Sequence, residues 1–281
     1  MYKRDRIRST LIRYLFPKKV WLSQSAFVDY AMIFLNSFVK LLLVVPYLIY
    51  GLYIAFYTNE YLFDYFGTPA FTLTAMQTVV GYTIVFTLVS DFMSYLVHYL
   101  MHKIPFLWEF HKTHHSATTL NPVTQYRIHP VELLINNARS ILVFGVLTGL
   151  FDYLSNHQVH KLVFLGVNVL SFGFLLFGAN LRHSHVKLRY WSFLEYIFIS
   201  PVQHQIHHSN NPKFFNKNMG SMFALWDWLF GTLALSKTAK NIEFGLGEED
   251  EQYSSFWKNI YMPFYNIFMS VKMFLKRIFN L

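Results

Sequence analysis

Long apolar blocks constrain this chain more than any other feature. Four stretches approach the ~20 residues a helix needs to cross a bilayer: 41–57 (LLLVVPYLIYGLYIAFY), roughly 70–90, roughly 133–151 and roughly 161–180. The first is short, but the mostly apolar segment 26–39 precedes it. Hydrophobic residues make up 54% of the 281 residues and charged ones only 14%, too apolar a balance for a soluble domain. In lipid each backbone polar group must be satisfied inside its own element, so such blocks fold as helices. The expectation is an all-α integral membrane protein with about four transmembrane helices.

The connections between the blocks differ in charge. Loops 58–69 and 152–160 contain no Lys or Arg, whereas the first 19 residues, the 103–132 connection and the chain beyond 181 are rich in both. The positive-inside rule puts the basic parts in the cytoplasm and the other two loops outside, which four spans with both ends inside satisfy. The basic start has no compact apolar core followed by a small-residue cleavage site, so it reads as a tail lying on the membrane. A formal charge of +9 in so apolar a chain fits topology and anionic headgroups rather than nucleic acid.

That topology sorts the 13 histidines. His98, His102, His111, His114, His115 and His129 fall at or beyond the inner end of the second block. His183, His185, His204, His207 and His208 follow the inner end of the fourth. Only His157 and His160 lie in an outer loop, where a structural role is expected. His98 and His102 are four apart in VHYLMH, and HKTHHS (111–116) and HQIHHS (204–209) each space histidines at i, i+3 and i+4. Residues so spaced share one helical face.

Neutral imidazole is a good ligand for iron, zinc or copper. The absence of cysteine removes thiolate ligands, disulfides and a thiolate nucleophile. Eight to eleven nitrogens exceed what one ion can use, so two metals are expected. His183 and His185, in NLRHSHV, are two apart and would face different ways on a regular helix. His129, in YRIHPVE, is open between ligand and loop structure.

These motifs resemble the fatty acid hydroxylase/sterol desaturase superfamily of membrane di-iron enzymes. The resemblance runs over about residues 85–235. It includes WEFHKTHHS, the pattern N-P-x-T-x-Y-R-x-H-P-x-E at 121–132, SPVQHQIHHS at 200–209 and LWDWLFGT at 225–232. It implies a cytosolic, helical, histidine-rich metal-binding domain that holds two iron ions, or zinc in a purified form. The implied reaction is hydroxylation or desaturation of a lipid C–H bond by dioxygen. Electrons would come from outside, from a ferredoxin or a cytochrome b5-like donor with its reductase. The bacterial inner membrane is the expected location, or the endoplasmic reticulum in a eukaryote. No nucleic-acid partner is expected, and the oligomeric state is open.

The chain divides accordingly into a basic tail and interfacial segment (1–40), a membrane-embedded catalytic domain (41–235) and a C-terminal part (236–281). The last combines the acidic loop GLGEEDEQ with an amphipathic helix bearing Lys258, Lys272, Lys276 and Arg277, read as interfacial. Ligating histidines usually donate their other nitrogen to a carboxylate or carbonyl. Asp91, two turns before His98, and Asp227 are the acids expected to serve the catalytic centre in this way. Glu132, Asn121 and Arg127 are similar candidates. Two other functions fit the same histidines: a zinc-dependent hydrolase or lyase that activates water, and a metal transporter. A transporter would place its ligands nearer the middle of the spans.

Overall fold

The computed structural model describes residues 11–157, 170, 172–174, 176, 178–239 and 241–279. Regular structure among them is helical, and extended pairing is confined to two isolated bridges, Phe198 with Phe223 and Ser209 with Phe244. Three helical runs are long and apolar enough to cross a membrane: Gln24–Phe66, Ala75–Lys103 and Pro130–Leu154. The fourth expected span, 161–180, lies for most of its length outside the described residues, as does His160.

The first run joins α1 (Gln24–Val39) to α2 (Leu48–Phe66) through a π turn, Lys40–Val44, and a 3₁₀ turn, Val45–Tyr47. Pro46 causes the interruption, because it has no N–H for the helical ladder. At 1.5 Å per residue the 43 residues extend about 65 Å, roughly twice the hydrocarbon thickness. Only part of the run can therefore lie in lipid. The α1 portion packs on the histidine-bearing end, where Asn36 Nδ2 donates to the Tyr126 and Ile128 carbonyls. At the other end α2 continues past Tyr57, where the sequence suggested a loop. Asn59 Nδ2 donates to Asp152 there, and Gly67 (φ 69°) ends the helix in the left-handed region.

Helix α3 (Ala75–Lys103) starts at a capping box of Thr74 and Gln77. Pro105 disfavours helical geometry at Ile104, so α3 stops and α4 (Pro105–His115) begins with proline at its first turn. Helix α5 (Pro130–Leu154) has His129 as its N-cap. Against α2 it presents Gly145 and Gly149, and α2 answers with Gly51 and Ala55. A Cβ at Gly149 would strike the Ala55 carbonyl, and one at Gly145 would meet Ile54 Cβ at 2.6 Å. These two small-x-x-x-small faces let the backbones approach closely. Against α3, Val143, Leu147 and Phe151 of α5 pack on Tyr82.

The later chain winds through short turns and carries α6 (Pro201–His207), α7 (Leu225–Leu229) and α8 (Phe256–Phe279). Pro263 deprives the Asn259 carbonyl of its helical donor, and Thr113 Oγ1 supplies one at 3.1 Å. This fixes the start of α8 beside α4. Beyond it the helix exposes Phe268, Phe274, Ile278 and Phe279.

Candidate metal centre

Three helix ends and one irregular segment bring nine histidines together. His98 and His102 come from the end of α3, His111, His114 and His115 from α4, and His204, His207 and His208 from α6 and its C-cap. His183 follows the 3₁₀ turn Ala179–Leu181. Helix α6 is only seven residues long, and the reciprocal Ser200–Gln203 capping box defines its start.

The ring nitrogens form two groups, each with one candidate ligand atom per residue and all such atoms within 4.8 Å of one another. One group is His98, His102, His111, His115 and His207; the other is His114, His183, His204 and His208. Each H-x-x-H-H copy serves both groups, in opposite allotment. HKTHHS gives its first and third histidines to the five-membered group and its second to the other. HQIHHS does the reverse. The two groups are neighbours, with the His115 and His208 rings stacked at 4.6 Å between centroids.

The outer nitrogens decide what the inner ones can do. His98 Nδ1 donates to the Met219 carbonyl (2.8 Å), His114 Nδ1 to that of Arg127 (3.1 Å) and His207 Nδ1 to that of Lys217 (2.9 Å). His111 Nδ1 lies 3.0 Å from Glu132 Oε1. The three carbonyl contacts put the proton on Nδ1 of His98, His114 and His207 and leave their Nε2 lone pairs facing inward. The Nε2 atoms of His98 and His111 then face each other at 3.1 Å, and those of His114 and His183 at 3.1 Å. Such spacings also suit two nitrogens that share one cation. Two nitrogens about 2.1 Å from one ion stand about 3.0–3.4 Å apart for right-angled to tetrahedral geometry. Inward Nε2 atoms of His102, His115 and His207 are buried without a hydrogen-bond partner. The donor set therefore fits two metal ions, and being all nitrogen it suits iron and zinc alike.

Burial holds these rings neutral. It pushes His111 and His114 down to about 3, and His115, His183, His204, His207 and His208 well below the ordinary imidazole value. Neutral rings are the form that binds metal.

Asp91 and Asp227 make no hydrogen bond to a histidine among the described residues; both hold the loop that carries Met219. Asp227 accepts from the Met219 and Gly220 amides and from Thr232, and Asp91 from the Met222 and Phe223 amides and Trp226 Nε1. Burial raises Asp227 to about 6 against those donors. Arg127, 1% exposed, ties α1 to the end of α4: it donates to the Thr113 carbonyl, Ser116 and Asp29. Asn121 and Thr124 also donate to Asp29. The 121–132 pattern is thus largely scaffold, with Glu132 and the Arg127 carbonyl reaching histidines directly.

His129 and His185 lie outside both groups. His129 Nδ1 accepts from the Val131 amide and its Nε2 donates to the Ile260 carbonyl, so it caps α5 and anchors α8. His185 Nε2 donates to the Tyr14 carbonyl. His157 pairs with Asp152 and stacks on Phe63, far along the chain from the cage. Sequence reasoning passed over Asp29, whose signal was a lone acid in the apolar run 26–39.

Two cavities touch the cage. One of about 330 Å³ reaches His102, His115 and His207 past Trp108 and Phe215. The other, of about 220 Å³, lies against His98, His111, His114, His183 and His204 and extends between α3 and α5 to Ser94 and Asn136. A helical membrane protein whose spans end in a doubled histidine cage is the class these features define.

The fatty acid hydroxylase family profile matches residues 83–232, more than half of the chain and the stretch that contains the whole cage, and the chain belongs to that family. It is 27% identical over 160 residues to an alkylglycerol monooxygenase of Caenorhabditis elegans, covering 57% of this chain and 28% of that protein. It is likewise 27% identical over 140 residues to the ornithine lipid hydroxylase OlsE of Rhizobium tropici, covering 50% of this chain and 38% of the relative. The matched stretch thus spans only about a third of the length of these relatives. No solved structure matches the chain significantly.

Proposed function

We propose that this protein hydroxylates or desaturates a C–H bond of a membrane lipid, using dioxygen, two iron ions held by the nine histidines, and electrons from an external donor. The observation that carries this reading is the pair of adjacent all-nitrogen groups at the ends of membrane helices. Family membership supports it, and the names of both relatives describe oxygenation of lipids. When bound, the irons would supply the dioxygen chemistry that side chains lack.

The chain's own contribution is positional. Carbonyls of Met219, Arg127 and Lys217 hold three rings with their lone pairs inward, and Glu132 stands 3.0 Å from His111 Nδ1. Burial of the cage keeps water from the reacting atoms. The 220 Å³ chamber between α3 and α5 gives a lipid access to both centres from the side of the spans. We place the cage on the cytoplasmic face, where the basic loops lie and a ferredoxin or cytochrome b5-like donor can dock. The bacterial inner membrane is the location this reading favours.

The purified protein tests the reading through its metal content and oxygen uptake. About two irons per chain and reductant-dependent oxygen uptake coupled to an oxidised lipid are expected. Full activity with zinc and without oxygen would overturn the reading in favour of a hydrolase or lyase. Comparing the lipids of a deletion strain with wild type identifies the substrate.

A further inference from the structure

The chamber beside the cage is polar, although it opens between two membrane helices. Ser94 of α3, Asn136 of α5, Gln125 and Ser221 line it, and none of these side chains has a protein hydrogen-bond partner among the described residues. They are half-buried, so a polar ligand or water entering the chamber can satisfy them.

Arg182 lines the same chamber and brings a charge. Its Nε donates to the Ala179 carbonyl (3.0 Å) and its Nη1 to that of Ser221 (2.5 Å), both neutral acceptors. No hydrogen bond engages Nη2, and no carboxylate pairs with the guanidinium within 4.0 Å, among the described residues. Asp91 attracts the guanidinium without a direct hydrogen bond, its oxygens accepting from Met222, Phe223 and Trp226. The chamber's acid, Glu132, faces His111 instead.

An apolar cavity of about 340 Å³ lies near this arginine. Leu170, Phe174, Tyr190, Leu194, Phe198 and Met222 line it, Tyr190 being the polar member. Met222 follows Ser221 in the chain, and the Arg182 guanidinium lies 5.9 Å from the centre of the Phe174 ring. A polar compartment at the metals, an apolar one beside it and, near both, a guanidinium whose Nη2 makes no hydrogen bond among the described residues match an amphipathic molecule.

We propose that Arg182 binds the anionic head of a lipid, a phosphate or a carboxylate, in the polar chamber while its chain occupies the Phe174–Phe198 cavity. The binding stands on the geometry of the two cavities, whereas the fate of the bound lipid rests on the oxygenase reading. Together they narrow the substrate to an anionic lipid oxidised close to its head. Mid-chain oxidation would need an apolar chamber at the cage.

Binding is measured with the full-length, metal-loaded protein in phosphatidylcholine nanodiscs, without oxygen or reductant. The probes are dodecyl phosphate, laurate and the neutral monolaurin. One or both anionic probes should bind about tenfold or more tighter than monolaurin, the scale of one charge-assisted contact. The tighter of the two names the head. Arg182→Gln should abolish the preference at unchanged metal content, and Arg182→Lys should keep most of it. Equal binding of all three probes by the wild type, or a preference that survives Arg182→Gln, overturns the proposal. If Arg182→Gln loses its metal, Asn136→Leu, which fills the same chamber, must weaken anionic binding at least tenfold, and undiminished binding overturns the proposal. Turnover is read in a second arm with oxygen and reductant added to the wild type and its native lipids: a binding preference with no oxygen-dependent lipid oxidation there would sink the oxygenase reading and leave this one standing. Turnover with no preference would do the opposite.

Discussion

At the scale of single residues, the allotment of the histidines gives a sharp test. His204 and His207 belong to the same H-x-x-H-H copy but to different groups. His207→Ala should bring the metal content from about two ions per chain to about one, with the remaining ion held more weakly. The His204→Ala/His207→Ala double variant should hold almost none. A double variant that still holds one ion would mean that each copy serves a single centre. Acidity probes the same rings. His111 and His114 stand at about 3 in the folded protein, below the ~6.5 of an unfolded chain. Between those values the unfolded chain takes up protons that the folded one refuses, so stability is complete above about pH 6.5 and falls as pH drops. The metal-free protein should therefore melt at a lower temperature at pH 5 than at pH 8; equal melting temperatures would contradict the burial of the rings. The histidine spacings were legible in the sequence, because i, i+3 and i+4 define a helical face. Which of His129, His183 and His185 joins the cage was not, since that depends on where irregular backbone carries them. The Met219, Lys217 and Arg127 carbonyls that orient three rings leave no mark on residue identity at all.

At the scale of elements, local chemistry at the ends sets where the helices begin. Pro105 and Ser200 with Gln203 fix the starts of the two short helices beside the cage, and Thr74 with Gln77 fixes the start of α3 at its opposite end. The helices nonetheless overrun the apolar blocks: α2 runs on to Phe66 and α3 to Lys103, because charged and polar residues continue a helix once it leaves lipid. Hydropathy marks the membrane, not the element. The pairing of α2 with α5 through Gly51, Ala55, Gly145 and Gly149 was hidden for another reason, since two small-x-x-x-small patterns do not say which one meets which. Gly149→Val puts a side chain against the Ala55 carbonyl, and overpacking of this kind costs about 1–3 kcal/mol. The variant should melt several degrees lower in detergent, as followed by circular dichroism. An unchanged melting temperature would show that the two helices do not meet there.

At the scale of the whole molecule, the chain lacks cysteine, so introduced thiols report topology on a clean background. Asp64→Cys, at the end of α2 away from the cage, should react with a membrane-impermeant maleimide on intact cells. Lys217→Cys, beside the cage, should react only after permeabilisation. The reverse pattern would put the metals outside. The crossed allotment of the two H-x-x-H-H copies also acts at this scale. Each copy is a single turn of helix yoked to both centres, so neither ion can be seated without squaring up half of the other's berth. Loading should be steep, with a Hill coefficient above 1 for metal uptake by the stripped protein; a simple hyperbola would mean that the two berths form separately. On the two-metal reading, such a chain would pass from empty to filled with little time spent half-charged, and a lone ion would be the state it visits least.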